Sequence, residues 1–201
     1  MEIWLAAGMG SLGTRARDAR SVETRERLLA AAEELLLAQP STEVSVRAVC
    51  AAAETNPAAV HYHFGSKDAL VAALLEARLA PLWTERLGAA AQREAELAEV
   101  VDAVIGPLTD LAADPRGRLY LRLLAELVLG RRDVGWTGDW FQLDTWVRFL
   151  PDLDPAEAQR RWLLAFEVLI MRFGAGHPPS QGSVGTLRDF VLAGLDGPGA
   201  R

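Results

Sequence analysis

The chain has 201 residues, 50% of them hydrophobic, and a net charge of −6. That suits a globular protein of one or two domains with a sizeable core, and excludes a uniformly basic nucleic-acid-binding surface while leaving room for a local one. A single cysteine excludes an intramolecular disulfide framework, and no apolar run approaches the roughly 20 residues a membrane-spanning helix needs.

Residues 1–12 are apolar, but Glu2 stands where a secretory signal has basic residues, and the run is short. The expectation is a disordered leader, or translation that begins at Met9, in a cytoplasmic protein. Residues 13–20 are polar and basic. They read as a non-helical arm, either a solvated tail or a strap that follows phosphates or enters the minor groove, so that residues 1–20 form a flexible leader and basic arm. A first helix is predicted to start within residues 21–24 and to end by Gln39-Pro40. Its apolar stripe is Leu28, Leu29, Ala32, Leu35 and Leu36, and Glu26, Arg27, Glu33 and Glu34 take the wet side.

Residues 45–67 read as two short helices joined by a tight turn. Ser45 can cap the first, in which Val46, Val49, Cys50 and Ala53 share a face. Cys50 on that inward face reads as a buried thiol. Asn56-Pro57 signals the second start, with Asn56 as cap and Pro57 as first helical residue. Val60 and Phe64 face inward, and His61, Tyr62 and His63 crowd the last turn. Gly65 stops the helix and Ser66 can cap the next. Two short angled helices with polar and aromatic groups on the second describe a DNA-binding helix-turn-helix. Arg15, Arg17, Arg20, Arg25, Arg47 and Lys67 supply local positive charge.

The run Val60-His61-Tyr62-His63-Phe64-Gly65-Ser66-Lys67, some twenty residues after Ser45-Val46-Arg47, resembles the signature of the TetR family of bacterial transcriptional regulators. The resemblance covers residues 24–74. It implies an all-α protein with an N-terminal three-helix helix-turn-helix DNA-binding domain over residues 21–66. Residues 67–201 would form a C-terminal helical ligand-binding and dimerisation domain that includes the connecting helix. By matching positions, Arg47 would read a guanine, and Ser45, Tyr62, His63 and Lys67 would grip the phosphate backbone. Asn56, Pro57, Ala58 and Ala59 would begin the recognition helix, the alanines meeting thymine methyls. Three positions depart from the pattern. Glu54 stands at a turn glycine, where a left-handed conformation would cost about 1 kcal/mol or more. Thr55 replaces an apolar residue, and His61 replaces a phosphate-binding tyrosine.

Beyond Ser66 a long helix carries Leu70, Ala73, Leu74 and Ala77 inward until Pro81, which is expected to kink or interrupt it. From about residue 94 the pattern stays helical: a stripe of Leu97, Val100, Val101, Val104, Ile105 and Leu108, then a helix opened by Asp114-Pro115 and stopped at Gly130. A loop follows over residues 131–138, then a short helix over residues 141–150. A capped helix starts at Asp154-Pro155, with residues 162–171 buried on nearly all sides, one face on the protein's own core and the other on a partner subunit. The last helix spans residues 183–195, with Leu187, Phe190, Val191 and Leu195 on one face. In the family the last two helices of each subunit meet as a four-helix dimer interface, which fits a homodimer here.

Neither a metal site nor an active site is indicated. His61 and His63, two apart, point about 200° apart on a helix, and no nucleophile motif or phosphate loop is present. No cofactor is implied. Glu126 and Glu167 lie in apolar stretches and are read as reaching solvent or arginines such as Arg122 and Arg172, or else a ligand. Five of the six tryptophans follow residue 80. Cavities between helices lined by aromatics suit small molecules, so Trp140, Trp146, Trp162 and Phe166 are the candidate walls for a largely apolar effector, with residues 131–138 a mobile entrance. An anionic effector on Arg122 or Arg172 is the second possibility. The function these readings lead to is a ligand-responsive regulator, a repressor on a near-palindromic double-stranded DNA operator. The alternative is a helix-turn-helix-derived protein that acts through protein partners without operator binding.

Overall fold

The computed structural model describes residues 7–93 and 95–197, with side chains from residue 19 onward. The chain divides into two compact units, Met1–Leu70 and Val71–Arg201. Among the described residues the regular structure is entirely helical, and no helix is long and apolar enough to cross a membrane.

The first unit opens with α1, Ala7–Ala38. This corrects the expected start near residues 21–24: the backbone of residues 13–20 is helix, not an irregular arm. From Thr14 to Ala38 there is neither glycine nor proline, so a helix anchored by packing at its far end can extend backward through good helix formers. Residues 1–6 and the side chains of Arg15 and Arg17 lie outside what is described. Leu28, Leu29, Ala32 and Leu36 of α1 are buried. α2, Val46–Ala52, and α3, Ala59–Phe64, complete the unit, with Val49, Cys50 and Val60 buried.

α4, Lys67–Gln92, crosses from one unit to the next. Ser66 Oγ accepts from the Ala69 amide at 3.0 Å and starts it. Pro81 lies inside α4 without ending it. The proline forfeits one backbone bond, but Leu79, Trp83 and Leu87 on either side are buried and keep the helix in place.

In the second unit α5, Leu97–Ala113, packs on α6, Pro115–Val128, on α8, Pro155–Phe173, and on α9, Gln181–Asp196; α8 also packs on α6 and α9. The helix starts follow the side-chain caps legible in the sequence. Asp114 accepts from the Gly117 amide at 2.8 Å and Asp154 from the Ala156 amide at 3.0 Å, each with a proline at the first helical position.

One expectation fails here. The single helix expected over residues 141–150 is broken into a 3₁₀ turn at Asp139–Phe141, the four-residue α7, Leu143–Trp146, and a second 3₁₀ turn at Val147–Phe149. Aromatic and β-branched residues are weak helix formers, and their rings are committed to neighbours instead. Within one chain, residues 162–171 bury one face and leave the other, the one assigned to a partner subunit, open. Ala158, Trp162, Ala165, Leu169 and Phe173 face the core, while Leu164 and Met171 are 61% and 58% exposed. On α9, Val191 and Leu195 are buried and Phe190 is 65% exposed.

Arg188 of α9 ties to Asp102 of α5 through two bonds, Nε to Oδ1 at 2.5 Å and Nη2 to Oδ2 at 2.9 Å. The guanidinium holds the Asp102 carboxyl below its ordinary value of 3.8, chiefly by hydrogen bonding, which outweighs the opposing effect of burial, with its charge adding to the lowering. A carboxyl depressed in the folded state contributes stability above the unfolded value, and that contribution is lost as pH falls through the folded one. The pair is half exposed, so the effect is modest. Thermal melts of Asp102→Asn are expected to lose stability less steeply than wild type below about pH 4. Parallel acid limbs would show that the pair does not contribute.

Candidate nucleic-acid interface and an aromatic cavity

The helix-turn-helix is fixed by short-range bonds and by two arginines of α1, Arg25 and Arg27. Ser45 Oγ accepts from the Ala48 amide at 3.1 Å and starts α2. At the other end Glu54 adopts φ 50°, left-handed backbone that costs a residue with a Cβ roughly 1–2 kcal/mol. Arg27 offsets that cost. Its Nη2 donates to the carbonyls of Ala53 and Glu54, the latter at 3.2 Å, and lies 3.8 Å from the Glu54 carboxylate. A cation on terminal carbonyls is favoured by the helix dipole. Thr55 donates twice to the Cys50 carbonyl, from its amide at 2.9 Å and its hydroxyl at 3.2 Å. The polar residue at this position thus ties the turn down.

Asn56 Oδ1 accepts from the Ala58 amide at 2.8 Å, an Asx turn, and α3 begins only at Ala59. The helix therefore starts two residues after Pro57, the residue predicted to open it. Ala59 falls inward and is buried, so it offers no surface to a thymine methyl. Gly65, at φ 81°, ends α3 with its amide on the His61 carbonyl, a conformation that glycine adopts without strain.

Ser45, Arg47, Asn56, Pro57, Ala58, His61 and Tyr62 are exposed, and His63 and Lys67 are half-buried. Tyr62 is 83% exposed, which settles it outside the core. Arg47 has no partner among the described residues. His61 Nδ1 lies 3.0 Å from the Gly65 carbonyl. A carbonyl only accepts, so Nδ1 carries the proton and Nε2 is the free ring nitrogen, an acceptor when the ring is neutral and a donor only when it is charged.

Two of the basic residues counted toward DNA are engaged within the unit. Lys67 Nζ donates to the Ser41 carbonyl. Arg25 lies over the Phe64 ring, 4.4 Å from its centroid, and Nη1 donates to the His63 carbonyl at 3.4 Å. Cys50 is buried, with Sγ 3.5 Å from the Pro57 carbonyl. Among the described residues no group of His, Cys, Asp or Glu is placed to hold a metal.

In the second unit the helices enclose a cavity of about 230 Å³. Trp140, Trp146 and Phe166 line it; Trp162 does not. Fully buried, Trp162 stacks on Phe166 at 5.4 Å and meets Trp146 at 4.9 Å, so it backs the wall instead of forming it. Trp83, Trp136, Phe141 and Gln142 were not predicted as walls and do line it. The three first appear in the sequence only as scattered aromatics, and Gln142 carries no periodic or motif signal.

Three of the indole N–H groups around the cavity are used inside the protein, while that of Trp162, in the layer behind the wall, is buried without a partner. Trp83 donates to Val104 O at 3.4 Å, Trp140 to Thr84 Oγ1 at 3.1 Å and Trp146 to Trp140 O at 3.2 Å. No charged residue lines the space. Arg122 pairs with Glu126 at 3.9 Å, both side chains about half exposed, and neither Arg122 nor Arg172 reaches the cavity.

Residues 28–74 match the family model described as bacterial regulatory proteins, tetR family. No curated protein matches the chain.

Arg47→Ala is expected to cost about 1–3 kcal/mol and to relax preference at one base pair per half-site, whereas Lys67→Ala should weaken all sequences alike, lower the salt slope and, through Ser41, lower the melting temperature. Equal losses on specific and random DNA for Arg47→Ala would remove its reading role. If His61 faces phosphate, His61→Ala should weaken specific and random DNA alike; unchanged binding on both would remove that role.

Proposed function

The chain belongs, through residues 28–74, to the TetR family of bacterial regulatory proteins, and we propose that it is a ligand-responsive repressor. A homodimer occupies a near-palindromic operator, and a small, largely apolar effector releases it. Ser45, Arg47, Asn56, Pro57, Ala58, His61, Tyr62, His63 and Lys67 form the DNA-facing set, with Arg47 the base reader and Lys67 shared between backbone contact and the fold. DNA binding of a transcriptional regulator is the family's property; operator, dimer and effector are the reading advanced for this chain.

The observation that carries the effector assignment is the chemistry of the cavity. Its walls are aromatic and aliphatic apart from Gln142, the indole donors of Trp83, Trp140 and Trp146 are already satisfied, and it presents no charge. Burying an anion there without a partner would be costly, so an uncharged ligand fits and an anionic one does not. Support for the dimer comes from Leu164 and Met171 on α8 and Phe190 on α9, large side chains that one chain leaves in water. Covering such a surface with its own copy is the common solution among oligomers. The effector acts by binding better to a dimer geometry in which the recognition helices are mis-spaced.

Sedimentation in dilute buffer should show a dimer, and neutral apolar compounds should change tryptophan fluorescence and weaken DNA binding over the same concentration range. A stable monomer that binds DNA would contradict the dimer. Compounds that saturate the fluorescence change without altering DNA affinity would contradict the effector mechanism.

A further inference from the structure

The segment that walls the cavity is strapped to the connecting helix. Glu76, on the part of α4 within the second unit, accepts three bonds from two consecutive residues of the cavity segment. Oε1 takes the amides of Thr137 at 2.5 Å and Gly138 at 2.8 Å, and Oε2 takes the Thr137 hydroxyl at 2.8 Å. One helical face further along α4, Thr84 receives the Trp140 indole. Glu76 and Thr137 are 61 positions apart in sequence, so no local turn preference explains the contact.

The strapped residues sit at a sensitive place. Trp136 and Phe141, on either side of Thr137 and Gly138, stack at 4.9 Å and both line the cavity. Gln142 closes the group by donating to the Trp136 carbonyl. The packing is close: a Cβ on Gly138 would lie 3.3 Å from the Phe141 ring and 3.6 Å from the Glu76 carboxyl. A carboxylate that accepts two adjacent amides and a hydroxyl is a strong, directional contact. It is also accessible to water, so it can open at lower cost than a buried pair.

We propose that the Glu76 carboxylate is a latch that holds the Trp136–Phe141 pair closed over the cavity, so that ligand entry requires its release and ligand occupancy is felt by α4. Glu76 is a positioning residue: it acts on the ligand through the segment it holds. The proposal rests on the reading of the cavity as an effector site and deepens it by naming the gate. α4 is continuous from Lys67 to Gln92, so strain or release at Glu76 acts on the same helix that leaves the DNA-binding unit.

The test uses the full-length protein, N-phenyl-1-naphthylamine as a neutral apolar probe, and two variants, Glu76→Gln and Thr137→Val. Glu76→Gln keeps a helix-compatible side chain but loses the charge and one acceptor, and Thr137→Val removes only the hydroxyl bond. Loss of a charge-assisted bond should speed probe association by about tenfold in Glu76→Gln, with a smaller effect in Thr137→Val. The Thr137 and Gly138 amides should exchange faster with solvent in Glu76→Gln without probe, while the melting temperature stays near wild type. Wild-type association rates together with wild-type exchange at both amides would overturn the latch alone, provided that the probe binds wild type and weakens its hold on DNA. A wild-type protein that takes up no probe would overturn the effector reading, and the gate with it.

Discussion

The DNA-binding unit depends on one strained residue and the arginine that holds it. Glu54 takes a left-handed conformation that glycine would adopt freely, and the direction in which α3 leaves α2 follows from that turn. Arg27 reaches from α1 to the last carbonyls of α2 and to Glu54 itself. Thr55 adds two bonds to the Cys50 carbonyl. The strain is roughly 1–2 kcal/mol, and a hydrogen bond from a charged donor is worth about as much. The turn is therefore held by α1, and a change at Arg27 would act on the recognition helix without touching DNA.

That arrangement places the exposed groups of the motif. Arg47 is free on the outer side of α2, and His61 and Tyr62 stand out from α3, while Lys67, Arg25 and Cys50 hold the unit together. In a chain with a net charge of −6, the described residues of the motif thus present a small set of basic and polar groups. Its grip on DNA should be correspondingly salt-sensitive.

Much of this was legible in the sequence because it is local. Ser45, Ser66, Asp114 and Asp154 each sit before an apolar period and each caps a helix, and Val100, Val101, Val104, Ile105 and Leu108 of the α5 stripe are buried. Glu54 was legible as a departure from a turn glycine. What failed depends on distant partners or on context. The start of α1 has no cap to mark it, since nothing in residues 14–38 breaks a helix. Ala59 is the first residue of α3, after the Asx turn at Asn56, and packs inward beside Val60. Residues 139–149 look helical only until their rings find Thr84, Phe166 and one another. Trp162 was counted as a wall when it is the layer behind. Glu76 resembles any solvated residue on a helix until the fold brings Thr137 and Gly138 to it.

Whether this helix-turn-helix reads a two-fold-related DNA site is decided by selecting bound duplexes from a random pool with the whole chain. The expected result is an inverted repeat whose half-sites are spaced by about one helical turn or a multiple of it. Each half should carry a guanine whose enrichment disappears with Arg47→Ala. Recovery of no enriched sequence, or of a single asymmetric motif indifferent to Arg47, would contradict it.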